Sequence, residues 1–294
     1  MEEIAVSIFA SAVRIPFYKT FLESLKSTSV PYEVIFCGHN TAAELIKAFE
    51  GSGNFTLIRG GDLLPENDQI IETRFHDINF RYLHTRKIKP AQCYEIARRA
   101  CRGKVSHYTA DDCEYSPDLI GKAFRFWEGL NEEKTILSIQ TLENGQFCDM
   151  RVHSFFGCVP STPLMAPLGL FSTKLGNEIG GFDRRYVCGQ YENDFVMNVM
   201  AKDGKVLVFG DKENKIDIDH YRKHGIARPF ATGYNHDREI LEGSWTVMVN
   251  GRSKMSTKIL DDIPIGYQRV DEFQPYTKEP NIILESESFK GIWI

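Results

Sequence analysis

Gly103-Lys104-Val105-Ser106-His107-Tyr108-Thr109-Ala110-Asp111-Asp112-Cys113-Glu114-Tyr115-Ser116-Pro117 sets the architecture expected of this chain. A short apolar-leaning strand leaves a glycine and runs into three acids within four residues, and a Ser-Pro pair then opens a helix. Ser116 is placed to cap that helix and Pro117 to occupy its first turn, with Leu119, Ile120, Ala123, Phe124, Trp127 and Leu130 on one apolar face. Open α/β sheets bind ligands at the carboxyl ends of their strands, so this acidic shelf suits a divalent cation carrying phosphate oxygens.

Working back from the shelf, Lys89-Pro90 starts a helix that turns Tyr94, Ala97 and Cys101 inward and ends near Gly103. At the start of the chain, Ile4 to Phe9 is a strand, and Phe17, Tyr18, Phe21, Leu22 and Leu25 form the stripe of a helix opening at Pro16. Glu33 to Cys37 is a second strand, followed by a turn and cap at 38–41 and a stripe of Ala42, Leu45, Ile46 and Phe49. Repetition of strand and helix predicts parallel strands joined by a right-handed crossover. A third strand is expected at Phe55 to Ile58, and residues 60–86 read as irregular with one or two short strands.

Downstream, Thr135 to Gln140 and Gln146 to His153 read as a hairpin turned at Asn144-Gly145. A proline-punctuated loop at 159–167 and Phe155-Phe156-Gly157 are candidates for contact with an acceptor. Ile179-Gly180-Gly181-Phe182-Asp183 precedes a helix that begins near Glu192-Asn193-Asp194, and two further strands lead to His220.

Composition narrows the function. A net charge of -5, with no basic run, argues against nucleic acid as a partner. The seven cysteines are odd in number and never paired as CxxC, which fits a reducing compartment rather than a disulfide framework or a zinc site. The start lacks the basic and apolar regions of a signal peptide, and no apolar run reaches the roughly 18 residues of a spanning helix. A cytoplasmic location is expected, with peripheral membrane attachment left open.

From residue 4 to about 225 the chain resembles family 2-type glycosyltransferases of the GT-A fold. The residues that carry the likeness are the opening strand with Pro16-Phe17-Tyr18, Ala100 to Gly103 ahead of Ala110-Asp111-Asp112, Tyr115 to Leu119, Ile179 to Asp183, and the strand-end His220. The resemblance implies an α/β fold with a mostly parallel central sheet flanked by helices and a small antiparallel part. It also implies a nucleotide-sugar donor, Mn²⁺ or Mg²⁺, and glycosyl transfer with inversion to a hydroxyl of a glycan or other acceptor. On this reading residues 1–227 are the catalytic domain, and residues 228–294 an extension that packs on it or on a second subunit, as in a homo-oligomer.

The family's metal-holding aspartate lies five residues before the proline, which here is Asp112. Asp111 falls mid-motif on the donor side, and Ala110 stands where the first aspartate is usual. Glu114 could supply the missing carboxylate, and His220 completes the metal set that the resemblance implies. An inverting transfer needs a base for the acceptor hydroxyl, and both Glu192 and Asp194 are candidates. By the switch-point rule the donor's base and ribose sit over the first two strands, at Ala10, Ser11 and Arg14 and at His39 and Asn40, with Lys89 a further cation. Relatives hold uracil with an aspartate in the second turn, which this chain lacks, so uridine is expected from the resemblance alone. His107, on the acidic strand, reads as a satisfied core histidine. A non-catalytic sugar- or nucleotide-binding protein on the same fold is the other reading, prompted by Ala110 and by Asn193 after Glu192.

Overall fold

The computed structural model describes residues 3–50, 53–59, 69–75, 78–85, 88–151, 166–218, 234–249, 252–255 and 266–276. β1 (Val6–Ser11) leads through a 3-10 turn at Ile15–Phe17 into α1 (Tyr18–Ser24), which buries Tyr18, Phe21 and Leu22. β2 (Tyr32–Gly38) lies parallel to β1, with Val6 opposite Tyr32 and Ser11 opposite Cys37. At the head of α2 (Ala42–Ala48), Glu44 N donates to Thr41 Oγ1 while Thr41 N donates to Glu44 Oε2, a reciprocal cap that fixes the helix start. Leu45 and Phe49 point inward, but Ile46 is 51% exposed, so the buried stripe is narrower than the sequence suggests.

β3 (Gly53–Arg59) matches the third strand expected at Phe55 to Ile58. The stretch from 60 to 86, expected to be irregular with one or two short strands, carries two seven-residue strands, β4 (Gln69–Phe75) and β5 (Ile78–His84), longer than expected, and β5 lies parallel beside β2. In β5 the apolar Ile78, Phe80 and Tyr82 alternate with Asn79 and Arg81, and Arg81 is nonetheless buried. Its Nη2 donates to Glu33 Oε2 on β2 (2.9 Å) and to the Ala100 carbonyl (2.6 Å). A buried ion pair thus fills a polar position of the strand's alternation.

α3 (Pro90–Arg99) feeds β6 (Val105–Tyr108), which is parallel to β1. Next come β7 (Glu114–Tyr115) and α4 (Leu119–Leu130). Asp118, with φ of 54°, is the N-cap, so the helix begins later than Pro117. Ser116 does not cap it. Its N and Oγ donate to the Lys215 carbonyl (3.1 and 2.9 Å), which staples β7 to the later chain. β8 (Thr135–Ile139) joins the main sheet, while β9 (Thr141–Glu143) and β10 (Gln146–Cys148) form the hairpin, turned by Asn144 and Gly145 at φ of 50° and 76°. The hairpin is thus shorter than expected and lies in a second sheet. β11 (Gly169–Ser172), α5 (Thr173–Ile179), α6 (Tyr191–Met200), β12 (Lys205–Phe209) and β13 (Ile216–Ile218) follow. Beyond them lie α7 (Tyr234–Ser244), β14 (Trp245–Val249), β15 (Arg252–Met255) and β16 (Gly266–Arg269).

The main sheet has the order β12-β8-β11-β6-β1-β2-β5-β4-β3. β4 and β11 run against the other seven strands, so the α/β architecture with a mostly parallel sheet stands as expected. The small sheet is β10-β9-β13-β7, and β14 pairs with β15 and β16 in a third. Alternate residues of the central strands face opposite layers: Ile8, Val34 and Phe36 pack with α1 and α4, while Phe9, Ile35 and Leu83 pack with α3, α5 and α6. Leu241 and Trp245 join the second layer and are almost wholly buried there. No helix among the described residues is long and apolar enough to cross a membrane.

Candidate functional site

Parallel strands end together, so β1, β2 and β6 deliver their following loops to one edge of the sheet. Asp111 and Asp112 lie three and four residues past the end of β6, buried at 1% and 6% exposure. Asp111 Oδ2 accepts from the backbone N–H groups of Val13 and Arg14, each at 2.8 Å. Its Oδ1 accepts from Arg14 Nε (2.8 Å) and Nη2 (2.5 Å). Arg14 Nη1 meets Asp112 Oδ2, so one guanidinium bridges both acids of the shelf. Burial works against the Arg14 charge, but Asp111 and Asp112 hold its pKa above the ordinary range.

Asp111 therefore spends both oxygens on the loop after β1 and can act on a donor only by shaping that loop. Asn40 is committed in the same way: its Oδ1 accepts from the Tyr18 and Tyr82 hydroxyls (2.8 and 3.0 Å), and its Nδ2 donates to the Val13 carbonyl (3.3 Å). Gly38 permits this contact between loops, since a Cβ there would lie 2.0 Å from the Ala12 carbonyl oxygen. Ala10 is fully buried, while Ser11 and His39 are half-buried. The Ser11 hydroxyl has no hydrogen-bond partner among the described residues. Lys89, expected near the donor, is buried and donates from Nζ to the Arg184 carbonyl (2.6 Å). Burial pushes its pKa down to about 8, with Asp237 and Asp183 pulling it back. Of the residues named for the donor, Arg14 and Asp111 are brought together, with Asn40 tied to the same loop.

Glu114 stands on β7, opposite Asp217 of β13. Among the described residues no three His, Cys, Asp or Glu side chains converge as a metal cage, so Asp111, Asp112 and Glu114 do not form one. His220 lies outside the described residues. Hard carboxylate oxygen at a strand end suits Mn²⁺ or Mg²⁺, which commonly takes one or two protein carboxylates and completes its shell with substrate phosphate and water. Asp112 fits that single contact, shared with Arg14. His107 is the satisfied core residue expected: Nδ1 pairs with the Gly169 carbonyl (3.1 Å) and Nε2 with the Tyr115 hydroxyl (3.0 Å), and burial lowers its pKa to about 4.

The second half of the site grows from the end of α5. Gly180 and Gly181 take φ of 95° and 80°, and a Cβ on Gly181 would lie 2.3 Å from Glu95 Oε2. That oxygen accepts from Phe182 N (3.1 Å), and Arg98 and Arg99 hold Glu95 in place. Asp183 is fully buried. It accepts from Arg185 N, Nε and Nη2, from Arg269 Nη2 (2.8 Å) and from Gln274 N. Arg269 stacks between the rings of Trp245 and Phe273, 5.2 and 5.3 Å from their centroids.

The two candidate bases occupy different surroundings. Asp194 Oδ1 accepts from Tyr186 Oη (3.2 Å), Trp245 Nε1 (2.8 Å) and Arg269 Nη1 (2.9 Å), and Oδ2 from Asn198 Nδ2 (3.0 Å). Burial pushes its pKa up to about 6 while Arg269 pulls it back, leaving it ionised at neutral pH. Oδ1 is saturated by three donors and Oδ2 is engaged by a fourth, so Asp194 reads as the keystone of a buried network. Glu192 is half-buried, and its Oε2 is buried with no hydrogen-bond partner among the described residues. Burial, with Asp237 adding like-charge repulsion, pushes its pKa up to about 7 against the pull of backbone N–H groups at the helix start. A carboxylate poised near neutrality with an unpartnered oxygen can take a proton from a hydroxyl that reaches it.

Sequence reasoning missed Asp237, Arg269 and Tyr186. The first two lie beyond the resemblance, and the partners that tie them to the site, Val187 to Gly189 for Asp237 and Asp183 and Asp194 for Arg269, are 48 or more residues away along the chain, so no local pattern marks them. The proline-punctuated loop up to residue 165, Phe155 to Gly157 and His220 are outside the described residues.

No protein-family model matches the chain, and no curated protein is similar to it in sequence. Solved structures are similar in shape. The crystal structure of S. aureus TarS 1-349 covers 81% of this chain and 64% of its own, at 10% identity and a TM-score of 0.54. A further crystal structure of S. aureus TarS covers 74% of this chain and 38% of its own, at 12% identity and a TM-score of 0.51. The chain thus spans less than two thirds of either. At such identity the likeness is one of fold, and that fold is the GT-A glycosyltransferase fold.

Proposed function

We propose that this protein is an inverting glycosyltransferase that moves a sugar from a nucleotide-diphosphate sugar, read as a UDP-sugar, to a hydroxyl of a glycan or similar acceptor. The observation that carries this reading is Glu192, a carboxylate at a helix start with one oxygen unpartnered among the described residues and a pKa raised to about 7. The loops after β1 and β2, locked together by Asp111, Arg14 and Asn40, make a rigid floor for the donor's base and ribose.

Glu192 takes the proton of the acceptor hydroxyl as that oxygen attacks the anomeric carbon from the face opposite the diphosphate. The new C–O bond forms, the bond to the diphosphate oxygen breaks, and the nucleotide diphosphate leaves with the electron pair. Arg14, paired with both Asp111 and Asp112, holds the shelf in shape and leaves it with a net negative charge at the edge of the sheet. A divalent cation, Mn²⁺ or Mg²⁺, would be held by Asp112 and would supply positive charge to the diphosphate. Asp194 keeps the helix carrying Glu192 in register.

UDP release from UDP-sugars, followed with EDTA and after Mn²⁺ is restored, tests the reading. Release abolished by chelation and regained with Mn²⁺ is expected, and activity indifferent to EDTA would remove the cation from the scheme. The second reading, a binding protein on the same fold, is favoured by Ala110 and by the full commitment of Asp111. Tight donor binding without release under every metal condition would select it.

A further inference from the structure

The segment that delivers Glu192 is held from outside. Asp237, on α7 and fully buried, turns its carboxylate onto three consecutive backbone N–H groups. Oδ1 accepts from Val187 (2.9 Å), and Oδ2 from Cys188 and Gly189 (both 2.8 Å). The same segment is tied to α3, where Ala91 N donates to the Val187 carbonyl (3.0 Å) and Lys89 Nζ to that of Arg184 (2.6 Å). The next residue, Gln190, takes φ of 62° at the head of α6 without a side-chain cap. A left-handed conformation in a residue other than glycine persists where its surroundings over-determine it. Three amides aimed at one buried carboxylate do so here, and Glu192 follows two residues later.

We propose that Asp237 is a positioning residue that clamps the 187–189 segment and so fixes the reach and charge of Glu192. This rests on the reading of Glu192 as the base. The clamp acts on the acceptor side, because the donor floor is built from β1, β2 and β6, which Asp237 does not touch by any of these bonds. The charge effect is set by known neighbours. Asp237 faces Lys89 from α3, Cys188 from the clamped segment, Glu192 from α6, Tyr276 from the C-terminal segment and His236 on its own helix. Glu192 is faced in addition by Tyr108 and Tyr191. Asparagine at position 237 keeps the shape but removes the charge and one acceptor oxygen.

The full chain with Asp237→Asn, its fold checked by circular dichroism, is compared with wild type in three measurements. The first is hydrogen–deuterium exchange at the amides of 187–189, localised by mass spectrometry and independent of turnover. A several-fold rise in exchange rate is expected as these amides lose their acceptor. The second is UDP release, where a fall in kcat on the order of tenfold to a hundredfold, at unchanged donor KM, is expected from a displaced base. The third is the acid limb of kcat/KM against pH, which moves to lower pH once the repelling carboxylate is gone. Unchanged exchange at 187–189 overturns the clamp, and raised exchange with unchanged kcat and an unshifted limb overturns its effect on Glu192. A parallel Glu192→Gln variant separates the two readings: full activity there sinks Glu192 as the base, while exchange at 187–189 still decides whether Asp237 holds the segment. If Asp237→Asn fails to fold, Asp237→Glu, which keeps the charge and lengthens the side chain, is expected to keep exchange at 187–189 slow, and fast exchange in a folded Asp237→Glu overturns the clamp.

Discussion

Replacing Glu192 by glutamine should leave a protein that is inactive but, above neutral pH, harder to unfold. The glutamate ionises near 4.5 in the unfolded chain and at about 7 in the folded one. Between those values the folded form keeps a proton that the unfolded chain has lost, so stability falls as pH rises through the window and levels off above it. At about 1.4 kcal/mol for each tenfold change in acidity across that window, the penalty above pH 7 is about 3 kcal/mol. Glutamine never ionises, so the variant escapes the penalty whatever constant cost its amide adds. Thermal melts of both proteins between pH 4.5 and 8.5 would show the gap in Tm opening in favour of the variant by roughly 5 °C across that range. UDP release should fall by roughly 10²- to 10⁴-fold, the usual contribution of a general base. A gap that stays flat with pH would refute the buried, ionisable state assigned to Glu192, and retained turnover would refute its role.

Asp194→Ala should behave in the opposite sense. It strips Arg269 of one of three carboxylates and leaves the Trp245 indole N–H without its acceptor, for a loss of about 3 kcal/mol in chemical denaturation. A variant that lost activity at full stability would instead make Asp194 the base. Gly181→Ala forces a left-handed alanine against Glu95, so it should cost more than the roughly 1–2 kcal/mol of the conformation alone, and a urea midpoint within error of wild type would contradict the contact. Arg14→Lys keeps the charge but loses the fork that grips both aspartates, and donor KM should rise on the order of tenfold at nearly constant kcat. An unchanged KM would dissociate the loop from donor binding.

The strand–helix units up to residue 50, the turn into the acidic shelf and the helix after it could be read from apolar spacing because those elements bury what their patterns advertise. β5 alternates as well, with Ile78, Phe80 and Tyr82 set against Asn79 and Arg81, but Arg81 is buried with Glu33, so its polar positions do not mark a solvent face. The shelf was located correctly, but its internal wiring was not. Asp111 looks like a ligand in the chain and is a clasp in the fold, since its partners, the amides of Val13 and Arg14, lie about a hundred residues upstream. Glu192 and Asp194 look alike as neighbouring acids at a helix start and part company only when Trp245 and Arg269 arrive from far along the chain. Spacing finds a face or a cap. It does not find which lone pairs a distant backbone has already taken.

The pairing of Asp183 and Asp194 with Arg269 sets an order in time. During synthesis, the donor-side clasp between Arg14 and Asp111 can close from residues already made once the 112th has left the ribosome. The acceptor side waits for Arg269, the arginine that Asp183 and Asp194 share, until about 160 residues later, which at usual elongation rates is roughly 8–30 s. Once residue 194 is made, Asp183 has Arg185 beside it but Asp194 has no arginine from β16 to accompany it, so the second half stays open to solvent and to chaperones while the first is finished. A stop codon between residues 194 and 269 would leave a protein with half a site and a buried acid without its arginine.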